Sequence, residues 1–100
     1  MANGYKVSWT RKALNDLNSL IEFLEENWSE KEISQFSENL DHTIELISKN
    51  PKIFPASRKK PVIRRAVVDK NNVLYYRYQK QTVELLTLFA TKQDPNKRKI

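Results

Sequence analysis

Cationic side chains are the most frequent group in this sequence that could carry chemistry, whereas histidine and cysteine, two common catalytic and metal-binding types, are nearly absent. The chain has one histidine, His42, one glycine, Gly4, and no cysteine. A metal site of histidine and cysteine is therefore not expected, and one glycine cannot form a glycine-rich phosphate loop. His42 follows Leu40 by two residues, about 200° round a helix, so we interpret it as solvated. The sequence predicts neither a metal nor a cofactor.

Arginine, lysine and tyrosine remain as candidate functional groups, and they are concentrated in the second half of the chain. Residues 51–100 contain 13 Lys/Arg and 3 Asp/Glu, net +10, whereas residues 1–50 contain 5 Lys/Arg and 9 Asp/Glu, net −4. Such a field attracts phosphates or an acidic protein. Guanidinium groups beside aromatic rings suit both, and a solvated surface with nothing bound is the third interpretation. The candidate binding residues are Arg58, Lys59, Lys60, Arg64, Arg65, Tyr75, Arg77, Lys92, Lys97 and Arg98.

A short strand and two helices are predicted in the first half. Residues 5–9 alternate apolar and polar side chains, as in a strand, and Thr10 is placed to cap the helix that follows. Ser29 and Glu32 have the spacing of a capping box, which begins a second helix, and Asn50-Pro51 ends it. The short join predicts an antiparallel helical hairpin. The two apolar stripes are Leu14, Leu17, Ile21, Leu24 and Trp28, followed by Ile33, Phe36, Leu40, Ile44 and Ile47.

Three strands are predicted in the second half, after a loop at residues 51–62 that holds three of the four prolines. Each strand is rich in β-branched and aromatic residues and is bounded by turn-forming residues. The order β-α-α-β-β-β predicts one α+β domain over residues 1–100. Its antiparallel sheet packs one face on the helical hairpin and adds the first strand at an edge. The three strands are predicted at 63–69, 73–79 and 82–91.

The turns and the last strand carry more specific expectations. Lys70-Asn71-Asn72 is predicted as a tight turn because asparagine tolerates positive φ. Lys80-Gln81 is predicted as a second, less typical turn. Residues 83–90 are apolar on both faces, which indicates an inner strand with both faces covered.

Strand periodicity divides the candidate residues between two sheet faces. Arg64 and Arg65 are adjacent, so they point to opposite faces. One of them must face the helices or lie at the strand end, and the pattern leaves open which. In the next strand, Tyr75 and Arg77 share the open face. The face assigned to the helices carries Leu74, Tyr76 and Tyr78.

Taken in order, these segments resemble the RelE/ParE superfamily of toxins from bacterial type II toxin–antitoxin systems, also called plasmid-stabilisation proteins. Each segment is a weak signal alone, and the order of the segments makes the match. The resemblance covers nearly the whole chain. The matching segments are Val7-Ser8-Trp9, Ala13-Leu14-x-Asp16-Leu17, and residues 63–68, 73–78 and 85–95.

The resemblance implies a growth-inhibiting toxin that a cognate antitoxin protein neutralises. Such antitoxins have a DNA-binding N-terminal part and a C-terminal segment that folds on the toxin, so DNA is expected as a partner only through the antitoxin complex. The antitoxin would cover the apolar grooves beside the helices and the cationic sheet. RelE-type members cut messenger RNA on the ribosome, and ParE-type members are associated with inhibition of DNA gyrase.

The sequence is closer to the ParE type. Both predicted helices are long, and RNA-cleaving relatives often carry a histidine or tyrosine near the C-terminus, which this chain lacks. Lys92 stands where the family often has arginine, and we interpret Lys97 and Arg98 as a solvated basic extension that helps to hold a partner. We expect a gyrase inhibitor that is not an enzyme. The alternatives are a ribosome-dependent mRNA endoribonuclease, with Arg65, Arg77 and Lys92 as candidate catalytic residues, and a non-toxic interaction module of the same fold.

No targeting or membrane-spanning segment is predicted. The opening residues MANGYKVSWTRK contain no apolar stretch typical of a signal peptide. The longest apolar run is far shorter than the roughly 18–20 residues that span a membrane. We therefore expect a cytoplasmic protein without a membrane partner.

Overall fold

A computed structural model of the chain describes residues 4–91. Lys92, Lys97 and Arg98, predicted from the sequence as binding residues, lie outside the described residues. The element order is the predicted β-α-α-β-β-β, and two helices pack against a four-stranded sheet. Within residues 4–91, neither helix is long and apolar enough to cross a membrane. The elements are β1 (Lys6–Trp9), α1 (Arg11–Asn27), α2 (Glu30–Lys49), β2 (Arg64–Asp69), β3 (Asn72–Gln79) and β4 (Thr82–Ala90).

Both predicted helix starts are confirmed. The Thr10 hydroxyl accepts a hydrogen bond from the Ala13 N–H at 3.2 Å. At the start of α2, the Ser29 N–H donates to Glu32 Oε1 at 3.0 Å, and the Glu32 N–H donates to Ser29 Oγ at 3.3 Å. These bonds satisfy N–H groups that a helix start would otherwise leave unpaired. Only Trp28 and Ser29 connect the helices, so the two form the expected hairpin.

The sheet has the order β1-β4-β3-β2. The prediction that the last strand lies inside the sheet is confirmed, because β4 pairs with β3 on one side and with β1 on the other. The three strands β2, β3 and β4 form an antiparallel meander. β1 runs parallel to β4, so the complete sheet is mixed.

The core lies between the helical hairpin and one sheet face. Tyr76 is fully buried there, and its hydroxyl donates to the Pro51 carbonyl at 2.6 Å. Burial raises the pKa of Tyr76 above its ordinary value. The Tyr76–Pro51 bond fastens the end of α2 to the centre of the sheet. Other core residues are Leu20, Leu24, Phe36, Leu40, Ile47, Ala66, Leu74, Val83, Leu85 and Leu88.

The apolar stripe predicted for α1 is wrong at its two ends. Leu14 is 45% exposed and Trp28 is 40% exposed, whereas Ala13 is fully buried. The Thr10 N–H and hydroxyl both donate to the Leu85 carbonyl, at 3.2 and 2.8 Å, and hold the helix start close against β4. We attribute the burial of the small Ala13 side chain, in place of Leu14, to this close approach.

The prediction of positive φ at an asparagine is also wrong. Among the described residues, the only one with positive φ is Lys80, at 56°, in the turn between β3 and β4. The β2–β3 turn instead uses the Asp69 carboxylate, which accepts from the Asn71 N–H at 2.8 Å and from Asn72 Nδ2 at 3.0 Å. A bulge between Val67 and Asp69 redirects the strand. The Asp69 hydrogen bonds and the bulge together form the turn without a residue in the left-handed region.

Asp16 protects the part of β4 that extends beyond β1. Its Oδ2 accepts from the Leu88 N–H at 3.2 Å and from the Thr87 hydroxyl at 2.5 Å. Lys12 lies one helical turn away and pairs with the same carboxylate at 3.2 Å. Asp16, which belongs to the matching segment Ala13-Leu14-x-Asp16-Leu17, therefore has a structural role. Without it, this edge of β4 would leave backbone N–H groups unpaired.

Candidate functional site

The two adjacent arginines of β2 lie on opposite faces of the sheet. Arg64 is on the helix side, where its Nη1 donates to the Phe54 carbonyl at 2.7 Å. Its guanidinium carbon lies 5.8 Å from the centre of the Tyr78 ring, within the range of a cation–π contact. Arg64 therefore fastens the loop before β2 to the sheet, and it is not available on the open face, the sheet face turned away from the helices.

Arg65 is the arginine on the open face. It is exposed and stands directly opposite Tyr75 in the β2–β3 register. Arg77 follows Tyr75 by two residues in β3 and is exposed on the same side. The strand register therefore confirms that Tyr75 and Arg77 share one face, and it shows that the arginine beside them, which the sequence left open, is Arg65. The assignment of Leu74, Tyr76 and Tyr78 to the helix side is confirmed as well.

Arg77 is not a free cation, which the sequence analysis missed. Its Nε donates to Glu84 Oε1 at 2.6 Å, and the two side chains are 49% and 38% exposed. The predicted turn at residues 80–81 was enough to predict this ion pair, because it fixes which residues of the two strands face each other. A two-residue turn pairs residue 79 with 82, and counting outward along the hairpin pairs 77 with 84. Cross-strand neighbours of opposite charge on one face attract each other.

One end of the open face is apolar. Val67, Val73 and Phe89 occupy neighbouring positions on β2, β3 and β4. Val67 and Phe89 are each 49% exposed, and Val73 between them is 3% exposed although it lies outside the main core. We call these three residues the apolar patch. The sequence predicted a covered second face for β4, and within residues 4–91 no element covers it.

The basic cluster Arg58-Lys59-Lys60 is exposed in the loop that leads into β2. The Ser57 N–H donates to the Ile63 carbonyl at 2.7 Å and closes this loop, and Ala56 forms a bridge to Arg64. Among the described residues, ion pairs involve Lys12, Lys49 and Arg77, so these loop cations have no carboxylate partner there. They form a second cationic surface beside the β2 edge.

The open face carries few of the groups that could act as a catalytic base. His42 is exposed on α2, as predicted. Residues 4–91 contain no group of three or more His, Cys, Asp or Glu side chains that could hold a metal ion. On the open face the carboxylate is Glu84, which Arg77 holds.

A cleft of about 410 Å³ opens between the tip of the helical hairpin and the β2–β3 turn. We call it the tip cleft. Phe23, Trp28 and Phe36 contribute aromatic rings to its wall, and Asp69 and Asn72 contribute polar groups. The sequence predicted apolar grooves beside the helices, and the tip cleft is one such groove.

The sequence and the fold both match known toxins. The model of the family described as the ParE toxin of a type II toxin–antitoxin system, parDE, matches residues 7–95. A structure of the chromosomal ParDE system from P. aeruginosa superposes with a TM-score of 0.73 at 12% identity, covering 89% of this chain and 98% of that one. These values establish a shared fold over almost the whole of both chains.

Two further structures have the same fold. A YoeB/ParE toxin from Agrobacterium tumefaciens gives a TM-score of 0.63 at 15% identity and covers 85% of this chain and 96% of its own. The RelBE2 toxin–antitoxin complex from Mycobacterium tuberculosis gives a TM-score of 0.61 at 19% identity, and the match covers 87% of this chain and 98% of that one. No curated protein sequence matches this chain.

Proposed function

Because the chain belongs to the ParE toxin family of type II toxin–antitoxin systems, we propose that it is a toxin that binds and inhibits DNA gyrase and that a cognate antitoxin neutralises it. The observation that supports gyrase binding over RNA cleavage is the Arg77–Glu84 ion pair on the open face, with an N–O distance of 2.6 Å. The resemblance implies that RNA-cleaving members use basic residues on that face, and an arginine already paired with a carboxylate is less suited to hold a phosphate. The proposed action is therefore inhibition by binding.

The chemistry of RNA cleavage explains why the ion pair matters. Attack of a 2′-OH on the adjacent phosphate needs a base that takes the proton and cations that stabilise the charge of the transition state. Glu84 reduces the positive field of Arg77, and Arg77 in turn keeps the Glu84 carboxylate from serving as a free base. Within residues 4–91, Lys6 and Arg65 remain as unpaired cations of the open face.

The proposed antitoxin segment is amphipathic and acidic. Its apolar side chains would cover Val67 and Phe89, which are each about half exposed. Its acidic side chains would meet Arg65 and the basic cluster at residues 58–60. A segment that folds on the toxin can wrap both surfaces at once. The proposal implies a cytoplasmic location, inhibition of growth and stabilisation of a plasmid or locus that encodes the pair.

A ribosome-dependent endoribonuclease is the second candidate. The observation that favours it is the free Arg65 beside Tyr75, a pair that could hold a phosphate and stack on a base. Its catalytic candidates are Arg65, Arg77 and Lys92, the last of which lies outside the described residues. A non-toxic interaction module of the same fold is the third candidate.

Controlled expression of the full chain in bacteria, followed by assays of the purified protein, tests the proposal. We expect filamentation, a DNA-damage response and inhibition of DNA supercoiling by purified gyrase, with messages left intact. Single substitutions Arg65→Ala, Arg77→Ala and Lys92→Ala should weaken the inhibition gradually. A nuclease would instead lose activity by orders of magnitude at one or two of these positions.

Two results would refute the proposed target. In-frame cleavage of messages on ribosomes, with normal supercoiling, would favour the endoribonuclease. Growth without any defect, together with no effect on gyrase or messages, would favour the interaction module. Equal growth arrest by wild type and all three variants would be consistent with gyrase as the target. It would show that these three residues do not belong to the binding site.

A further inference from the structure

The tip cleft has the dimensions and the walls of a site for one long cationic side chain. Its volume of about 410 Å³ lies within the range of about 300–1,000 Å³ that ligand sites occupy. The rings of Phe23, Trp28 and Phe36 line it, and Trp28 is 40% exposed at its rim. Aromatic walls accept the apolar stem of arginine or lysine, and an indole face attracts the charged head.

A hydrogen-bond acceptor in the wall has no partner. The side-chain oxygen of Asn72, a residue that is 6% exposed, is buried and forms no hydrogen bond with the described residues. The amide cannot be turned round, because its Nδ2 donates to both Asp69 carboxylate oxygens at 3.0 and 3.2 Å. An unpaired buried carbonyl destabilises a protein, so an inserted N–H donor that displaced the wall enough to reach this atom would supply the missing bond.

The charges around the cleft favour a cation. Residues 25–32 at the hairpin tip carry four acidic side chains and one lysine, a net charge of −3. Asp69 adds a carboxylate to the wall, and Lys70 is the base among the lining residues. This end of the helical layer therefore differs in sign from the basic loop at residues 58–60.

The cleft and the apolar patch lie at the same end of the sheet. Asn72 and Ala90 are paired in the β3–β4 register and line the cleft, and the next pair, Val73 and Phe89, belongs to the apolar patch. One peptide segment that crosses this end can therefore reach both. We propose that the antitoxin segment, although acidic where it meets Arg65 and residues 58–60, carries an arginine or lysine whose side chain inserts into the tip cleft, between Trp28 and the Asp69–Asn72 pair. This inference rests on the proposed function only for the identity of the partner.

Nuclear magnetic resonance of the labelled full chain tests the cleft without the antitoxin. The probe is N-acetyl-arginine N-methylamide, and the indole N–H of Trp28 and the side-chain amide of Asn72 should shift with a dissociation constant of about 1 mM, as expected for so small a ligand. The indole of Trp9, the other tryptophan, is an internal control that should not move. The matched citrulline probe, which has the same shape without the charge, should bind about tenfold more weakly.

Two variants separate the cleft from general surface binding. Trp28→Ala should lower the affinity for the arginine probe by about tenfold, because it removes the indole ring from the rim of the cleft. Leu14→Ala, which removes a similarly exposed apolar side chain of α1, should leave the affinity unchanged. Absence of shifts, equal binding of the citrulline probe, or equal effects of the two variants would overturn the proposed cation site.

Cross-linking in the complex tests the occupant. A p-benzoylphenylalanine placed at position 28 should cross-link to an antitoxin segment that contains arginine or lysine, whereas the same group at position 14 should not. Cross-links between two copies of the chain, or to an antitoxin segment without a basic residue, would overturn the proposal. If no antitoxin binds at all, the proposed function fails, and the probe titration still decides whether the cleft takes a cation.

Discussion

Replacing the adjacent residues Arg64 and Arg65 by alanine should affect two different properties of the protein, its stability and its binding of a partner. Arg64→Ala removes the hydrogen bond to the Phe54 carbonyl and the contact with the Tyr78 ring. Arg65→Ala removes an exposed side chain on the open face, and its backbone N–H still donates to the Pro55 carbonyl. The first substitution should lower the stability of the fold, and the second should lower partner binding.

The magnitude follows from the contacts. A hydrogen bond from a charged donor contributes about 1.5–3 kcal/mol, and a cation–π contact at a partly exposed site contributes about 0.5–1 kcal/mol. Because Arg64 is only partly buried, we expect a loss of about 2–3 kcal/mol, at the lower end of the sum. For a domain of this size, such a loss lowers the melting temperature by about 10–20 °C. Arg65→Ala should change the stability by less than about 0.5 kcal/mol.

Urea and thermal unfolding of the two purified variants, followed by circular dichroism, measure the difference. Arg64→Lys is an informative third variant, since it retains the charge but loses the planar group, and its stability should fall between wild type and Arg64→Ala. Equal stability of the Arg64→Ala and Arg65→Ala proteins would refute the assignment of the two side chains to opposite faces.

Three other substitutions give separate tests. Tyr76→Phe should cost about 1–3 kcal/mol in urea unfolding at neutral pH, because a buried carbonyl loses its donor. Burial raises the pKa of Tyr76, so the stability that its protonated hydroxyl contributes is complete below about pH 10 and is lost as the pH rises through the folded-state pKa. The difference in unfolding free energy between wild type and Tyr76→Phe should therefore narrow in alkali. A difference that stays constant with pH would contradict this. Val67→Lys should weaken antitoxin binding in titration calorimetry by tenfold or more, since it places a charge in the apolar patch, whereas Ile53→Lys, at a similarly exposed apolar residue of the loop, should not. Glu84→Gln should free Arg77 and steepen the salt dependence of non-specific RNA binding by about one unit of log–log slope, and an unchanged slope would show that the ion pair does not control the field of the open face.

The order of the elements could be predicted because it depends on local signals. The Thr10 cap and the Ser29–Glu32 capping box are short sequence patterns whose hydrogen bonds form within four residues. Alternation along β2 similarly required Arg64 and Arg65 to diverge. Which of them faces the helices depends on the loop that brings the Phe54 carbonyl beside the strand, and that approach is tertiary.

The errors have the same physical origin. The start of α1 is held by the Leu85 carbonyl, about 75 residues further along the chain, so its apolar stripe begins at Ala13 and not at Leu14. The asparagine turn is shaped by the Asp69 carboxylate and a bulge, which residue preferences at the turn alone do not reveal. The lining of the tip cleft comes from α1, α2, β2, β3 and β4, and no single segment of the sequence indicates it.

The parallel pairing of β1 with β4 also determines when the sheet can be completed during synthesis. Lys6 pairs with Thr82 and Trp9 with Leu85, so the first strand to be translated waits for the last one. At about 5–20 residues per second, the ribosome needs several seconds to make the intervening chain. Throughout this time β1 lacks its partner strand β4, and the helix start lacks the Leu85 carbonyl that holds it. We therefore expect the proposed antitoxin to meet its complete binding surface only after β4 has been made and the sheet of each copy has closed.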